Sequence, residues 1–503
     1  MDEKIPEASA MLVDGNLIEE IFIRNIDIPD DSGIEKIDLD GKTVLPGFND
    51  NHVHLNFFGE DLRLPDLTGL DEKEIVELLK DRYKNPKKNQ LLYGRSWDYP
   101  ACSDPRKEIL DQAFPDNPVV LSQYGGHSMW VNSVTLRKMK IPKKGTAPDN
   151  RKIILDKNGE LTGIVKDMEH NHFLAKFYLK RLLNRKSITE NHKAALQECA
   201  KYGITSVQDN TWSPVSLKTF RKLYKKQKLT ARISCWAYGS VPIFRALFYM
   251  QSFNKNWYSK GLVKYFLDGT FTAKTAWLTE PYEGDPDNSG FGKNREYTET
   301  VLEKEIKRKV QSGFHAIGDR AVHEFLAVIR DLSGKYPYIP GLRIRLEHAQ
   351  LIRAEDIPLI KKYGICISAQ PAALNNPEKD TRLLGRKRAL QAYPYRSLLN
   401  AGIPLSFGTD APAEGIINPF DCIHFTVNRE GPERISVKEA VKCYTAGSAY
   451  AEFRENEKGT LSKGKLADFI IVSDDPLQIN PEKIKDIAVL STWIGGQRIY
   501  QSC

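Results

Sequence analysis

Eight short β-rich runs recur along the chain, at 43–55, 204–210, 232–238, 262–268, 314–319, 344–350, 365–371 and 404–412. Most are separated by stretches whose apolar residues repeat at helical spacing. Alternating strands and helices argue for a parallel sheet, because a parallel return needs a long crossover and a helix is its usual form. Eight such units predict an α/β protein built on a (β/α)8 TIM-like barrel, with its chemistry at the C-terminal ends of the strands. The barrel is expected to take 45–55 and 191–455.

Both flanks of this pattern are β-rich. Segments 11–13, 17–23 and 36–39 are punctuated by Asp14-Gly15-Asn16 and Asp40-Gly41, and segments 465–473 and 487–496 match them at the far end. Short alternating runs between such turns read as antiparallel strands. Regions 1–44 and 456–503 are therefore expected to pair as one small composite β-sandwich domain. The interval 56–190 is too long for a connecting loop and is expected to be an inserted subdomain after strand 1. Within it, Asp71-Glu72-Lys73-Glu74 has the form of a capping box, 119–122 reads as a strand and 153–160 as a hairpin. Because it leaves from the C-terminal end of the first barrel strand, it is expected to act as a lid over the barrel mouth.

The first run ends in His52 and His54. Residues two apart on a strand share a face, so this pair can hold one ion without distorting the backbone. A lone His-x-His is weak evidence, since half-buried strand histidines are ordinary. Later runs add His315, His348 and Asp410, all near strand ends. Singly, each reads more readily as a strand-end histidine capping a helix or an aspartate as an N-cap. Together, four imidazoles and one carboxylate fit nitrogen and oxygen coordination of zinc or a similar divalent metal. Lys264 interrupts the otherwise apolar fourth run. It is either paired with a buried carboxylate such as Asp410 or Asp268, or carboxylated by carbon dioxide to bridge two ions. Burial favours the neutral amine that carbamate formation needs. The residues leave both readings open, with Lys166 and Glu169 as weaker rivals for a bridge.

Pro46-Gly47-Phe48-x-Asp50-x-His52-x-His54 resembles the strand-1 signature of the amidohydrolase superfamily. Segments 262–269, 276–282, 315–321, 347–349 and 408–412 resemble its family 3 branch, which includes YtcJ-like proteins and N-substituted formamide deformylase. Segments 393–396 and 428–429 and Gly464-Lys465-x-Ala467-Asp468 extend the likeness nearly end to end. The resemblance implies a metal-dependent hydrolase whose metal positions are His52, His54, Lys264, His315, His348 and Asp410. It also tilts Lys264 toward the carboxylated form, bridging two zinc ions. Gly94-Arg95-Ser96-Trp97-Asp98 resembles a segment of the branch, departing at Arg95 and Ser96, and Gly126-His127-Ser128 through Asn132-Ser133 resembles another. That likeness implies that Trp97 and His127 line the substrate pocket.

With these ligands, a bound water whose pKa is lowered toward ~7 would attack the substrate. Asp410 would take its proton and pass it to the leaving group. The expected activity is metal-dependent amidohydrolase cleavage of a C–N, amide-type bond in a small molecule. A mononuclear deaminase-like hydrolase and a catalytically silent metal-binding regulator are the alternatives, and ester hydrolysis uses the same parts.

Composition bounds the partners. The 73 basic and 65 acidic residues leave a net charge of +8. The basic runs at 180–186 and 221–228 carry leucines at helical spacing, so they read as solvated helix faces. No basic-aromatic motif points to nucleic acid, and no apolar run nears the ~20 residues that span a bilayer. Seven cysteines without a C-x-x-C read as free thiols in a reducing compartment, so a cytoplasmic location is expected. A homodimer is the default oligomer.

Overall fold

The computed structural model describes residues 7–23, 33–124, 128–141, 153–166, 172–211 and 213–502. The chain divides into two compact units, Met1–Leu55 with Ala195–Cys503, and Asn56–Ala194.

In the first unit all eight expected runs contribute to one sheet. Its strands are Phe48–Val53, Ile204–Asp209, Arg232–Tyr238, Tyr258–Phe266, Ser312–Ala316, Arg345–His348, Cys366–Ala369 and Leu405–Phe407, each parallel to the next. The loop after the eighth strand comes back to the end of the first. Asp410 N–H donates to His52 O (2.7 Å), and His54 N–H donates to Ala411 O (3.0 Å). The result is a nearly closed (β/α)8 barrel. Flanking helices cover its outer face, as in Asp319–Ser333, where Val322, Phe325, Leu326, Ile329 and Leu332 are buried. Residues three and four apart on a helix form one stripe, and that stripe packs on the sheet; the Phe325 ring lies 5.2 Å from that of Phe314 of the fifth strand, tilted by 49°.

The run at 43–55 is two strands rather than one. Thr43–Pro46 pairs antiparallel with Phe469–Val472 in a four-stranded sheet completed by Val489–Ile494 and Gln497–Gln501. Phe48–Val53 then enters the barrel. The switch falls at Gly47, whose N–H donates to Asp468 O (3.0 Å), and a side chain there would overlap Thr205 of the second barrel strand. Ala10–Asp14 and Leu17–Phe22 form a separate hairpin. Ile18 of that hairpin shares a buried cluster with Ala467, Phe469 and Ile471, so strands from both ends of the chain enclose one small core.

The second unit is a five-stranded mixed sheet in the order Leu92–Trp97, Val119–Gln123, Ser128–Val131, Leu161–Lys166 and Ile153–Leu155. The capping box opens helix Glu72–Arg82: the Asp71 carboxylate accepts the Glu74 N–H, and Glu74 accepts the Asp71 N–H. The two basic runs differ. In Ser216–Lys225, Leu217, Phe220 and Leu223 are buried and the lysines face outward. Helix His172–Leu183 instead ends with Leu182 half-buried and Leu183 48% exposed. Among the described residues no helix is long and apolar enough to cross a membrane.

Candidate metal centre

The first barrel strand is buried along its whole length. Val207 pairs with Asp50 and Asp209 with Val53, so the strand accommodates one extra residue against its neighbour. Both Asn51 and His52 consequently reach the interior, Asn51 bonding to Ser406 and Ser368, and His52 to Glu347. The undistorted strand expected from the spacing is not what aims His52. A register irregularity does, and such features commonly re-aim side chains beside sites.

His52 Nδ1 lies 2.7 Å from Glu347 Oε2. An ionised carboxylate can only accept, so Nδ1 carries the proton and the Nε2 lone pair is left for a ligand. Arg345 sits behind Glu347, with Nε 2.8 Å from Oε1 and Nη2 3.1 Å from Oε2. Its Nη2 also donates to Asn51 O and Ser368 Oγ, both at 2.9 Å, and the guanidinium lies over the Trp236 ring. Burial alone would raise the Glu347 carboxyl, but Arg345 and His52 override it and hold it well below the usual carboxylate range. Burial, with the Lys264 charge behind it, pushes His52 down to about 4. The ring is neutral at neutral pH, as a metal ligand must be.

Asp410 follows Thr409, whose N–H and Oγ1 donate to the buried Asp50 carboxylate at 3.0 and 2.6 Å; the same carboxylate accepts the His52 N–H at 3.1 Å. Asp50 thus ties the two ligand-bearing ends of the barrel together, and burial pushes it up to about 7. Asp410 Oδ1 lies 3.1 Å from His54 Nε2 and 3.5 Å from His52 Nε2, and Oδ2 lies 3.9 Å from His348 Nδ1. Burial opposes its ionisation, but His52, His54 and His348 pull it well below the usual range. His348 and Asp410 both adopt positive φ, 73° and 55°, a conformation uncommon outside glycine that recurs where a side chain is held for function.

Donor atoms of His52, His348 and Asp410 all lie within 4.8 Å of one another. Two neutral imidazoles and one ionised carboxylate, drawn from three strand ends, form a donor set that fits a divalent ion. His54 reaches the set through Asp410. His315 is adjacent, its ring centroid 4.4 Å from that of His348, but its Nε2 lies 3.0 Å from Gly269 O. A carbonyl only accepts, so that nitrogen is protonated and Nδ1 holds the free lone pair. Burial and Lys264 push His315 down to about 3.

Lys264 is fully buried, with Nζ 3.4 Å from His52 Nε2. Among the described residues no carboxylate comes within ion-pair distance of it. Burial pushes it down to about 8. Asp268, one of its expected partners, instead accepts the N–H groups of Gly318 (2.8 Å), Ile317 (2.9 Å) and Trp277 (3.0 Å) and so clamps two loops.

Trp97 and Lys166 belong to the second unit. Trp97 is buried in the core of the second unit, where its indole N–H donates to Leu121 O (2.9 Å) and its ring packs on Trp130. Lys166 is an exposed strand end of the same unit. His127 and Glu169 fall outside the described residues. Sequence reasoning gave no role to Arg345 and Glu347. Their signal was there: two opposite charges, two apart, in a strand buried on every side.

The model of the amidohydrolase family matches residues 35–500. YtcJ of Bacillus subtilis (strain 168) is 31% identical over 493 residues, spanning 93% of this chain and 90% of that protein. N-substituted formamide deformylase of Arthrobacter pascens is 24% identical over 537 residues, spanning 98% and 95%. The crystal structure of a metal-dependent hydrolase from Pyrococcus furiosus superposes with a TM-score of 0.75 at 28% identity, covering 93% of this chain and 95% of that one.

Proposed function

The chain belongs to the amidohydrolase family and is a metal-dependent hydrolase of that superfamily, and from this premise we propose that its barrel-end site hydrolyses the C–N bond of a small amide-type molecule. One observation carries the reading: the mutual approach of His52, His348 and Asp410 at the C-terminal ends of the strands. Hydrolysis of a C–N bond is also what the name of the Arthrobacter pascens relative describes.

A divalent ion in this donor set supplies Lewis acidity toward a carbonyl and lowers the pKa of water toward ~7. The chain's own residues do the rest. Arg345 and Glu347 keep the His52 proton on Nδ1. Asp410, ionised and flanked by three imidazoles, takes the proton of the attacking water at a carboxylate oxygen and hands it to the leaving nitrogen, where the C–N bond breaks. The neutral fraction of buried Lys264 is available to take up carbon dioxide, and the carboxylated side chain would join a second zinc-like ion to the first.

Elemental analysis of the purified protein and of Lys264→Ala tests this. About two ions per chain, falling to one or none in the variant, supports the lysine-bridged pair. One ion in both sinks the bridge and favours the mononuclear, deaminase-like reading. No metal in either would retire the hydrolase.

A further inference from the structure

The barrel interior is tiered. Arg345 bonds across it to Gln208 Oε1 and to Ser368 Oγ, so all three side chains point into the interior. Alternate residues of a strand share a face, so one further step of two leads to the next level toward the C-terminal mouth. From Arg345 that step reaches Glu347, which carries His52. From Gln208 it reaches Asn210, and from Ser368 it reaches Gln370. The Asn210 N–H donates to Val53 O (2.8 Å), which sets this residue beside the one that precedes His54.

Asn210 is 2% exposed, yet among the described residues neither its Oδ1 nor its Nδ2 has a hydrogen-bond partner. Gln370 is also 2% exposed; its Nε2 donates to Ser368 O (3.3 Å), and its Oε1 has no partner among the described residues. Buried amides are nearly always satisfied, because an unpaired one forfeits its hydration for nothing. Two of them toward the C-terminal ends of the barrel strands, one with both its atoms unpaired among the described residues, mark a place where a ligand completes the bonding.

We propose that Asn210, assisted by Gln370, orients the substrate at the metal centre and selects molecules that carry N–H beside C=O, that is primary or secondary carboxamides, over esters. This rests on the amide-hydrolase reading above. The chemistry is complementary: Asn210 Nδ2 donates to a carbonyl or remote oxygen, and Asn210 Oδ1 and Gln370 Oε1 accept N–H. An ester of the same shape offers no N–H, so it leaves buried acceptors unpaired, which is the strongest form of discrimination a small pocket has.

The test compares the parent protein with Asn210→Ala and Asn210→Leu. Three quantities are measured: melting temperature, bound metal, and the ratio of kcat/KM for 4-nitroacetanilide to that for 4-nitrophenyl acetate. These probes differ only in N–H against O. Asn210→Leu should melt at or above the parent with its metal retained, because it removes an unpaired polar group and keeps the volume. Both variants should lower the amide-to-ester ratio by roughly tenfold or more, through the amide. Asn210→Leu melting several degrees below the parent would overturn the proposal, since the amide would then have a structural partner, and so would an unchanged ratio. A parent that hydrolyses neither compound counts against the amide-hydrolase reading and not against Asn210, which the melting comparison then decides alone.

Discussion

Glu347 determines what His52 can do. A histidine with its proton on Nδ1 presents Nε2 to an ion, and the Glu347 carboxylate 2.7 Å from Nδ1 keeps it there. Replacing Glu347 by Gln removes the charge that also neutralises fully buried Arg345. Zinc titration of the metal-stripped Glu347→Gln protein should show affinity weakened roughly 10–100-fold. Its thermal unfolding should reveal a loss of about 3–5 kcal/mol from the orphaned guanidinium. Retained affinity would make Glu347 only a counter-ion for Arg345. Which histidine Glu347 serves could not be read from the chain, because the two are 295 positions apart. The candidate ligands themselves were legible as residue types, since histidine and aspartate at successive strand ends stand out by type and place, and the structure brings His52, His348 and Asp410 together.

Strands show where local pattern is enough and where it is not. Each barrel strand was visible as a short run rich in β-branched and aromatic residues, because burial on both faces demands it. Their internal registers were not visible. The 43–55 run looks continuous, yet it changes sheet at Gly47, where the backbone passes against Thr205. Gly47→Ala should therefore cost about 1–3 kcal/mol by overpacking, measured by denaturant unfolding. Combining it with Thr205→Ala should recover part of that loss, because most of the overlap is with the Thr205 side chain. Additive losses would mean that the glycine serves the backbone conformation instead. The extra residue opposite Val207–Asp209 was equally hidden, although it is what brings His52 inward.

Across the whole molecule, buried neutral histidines make stability depend on acidity. His192 in the second unit is pushed down to about 3 by burial, whereas an unfolded histidine titrates near ~6.5. Between those values the unfolded chain binds the extra proton, so this contribution is complete above about pH 6.5 and is lost as pH falls. His192→Gln compared with the parent by thermal unfolding should show the parent losing about 2 kcal/mol more between pH 7 and pH 5; parallel curves would mean that His192 is already solvated. The difference between variants isolates this group from buried Asp50, which is raised to about 7 and so acts with the opposite sign. What the sequence by itself determined is the barrel, the small sheet shared by both ends and the placing of histidines and an aspartate at the strand ends. These depend on periodicity and side-chain chemistry, which are written locally. Only the tertiary structure decided that Trp97 is a core residue of its own unit, that Arg345 and Glu347 stand behind His52, and that, among the described residues, Lys264 has no carboxylate within ion-pair distance and buried Asn210 no side-chain partner. Each of these is a distance between residues far apart in the chain, set when helices and strands close around a common interior, and no local pattern encodes it.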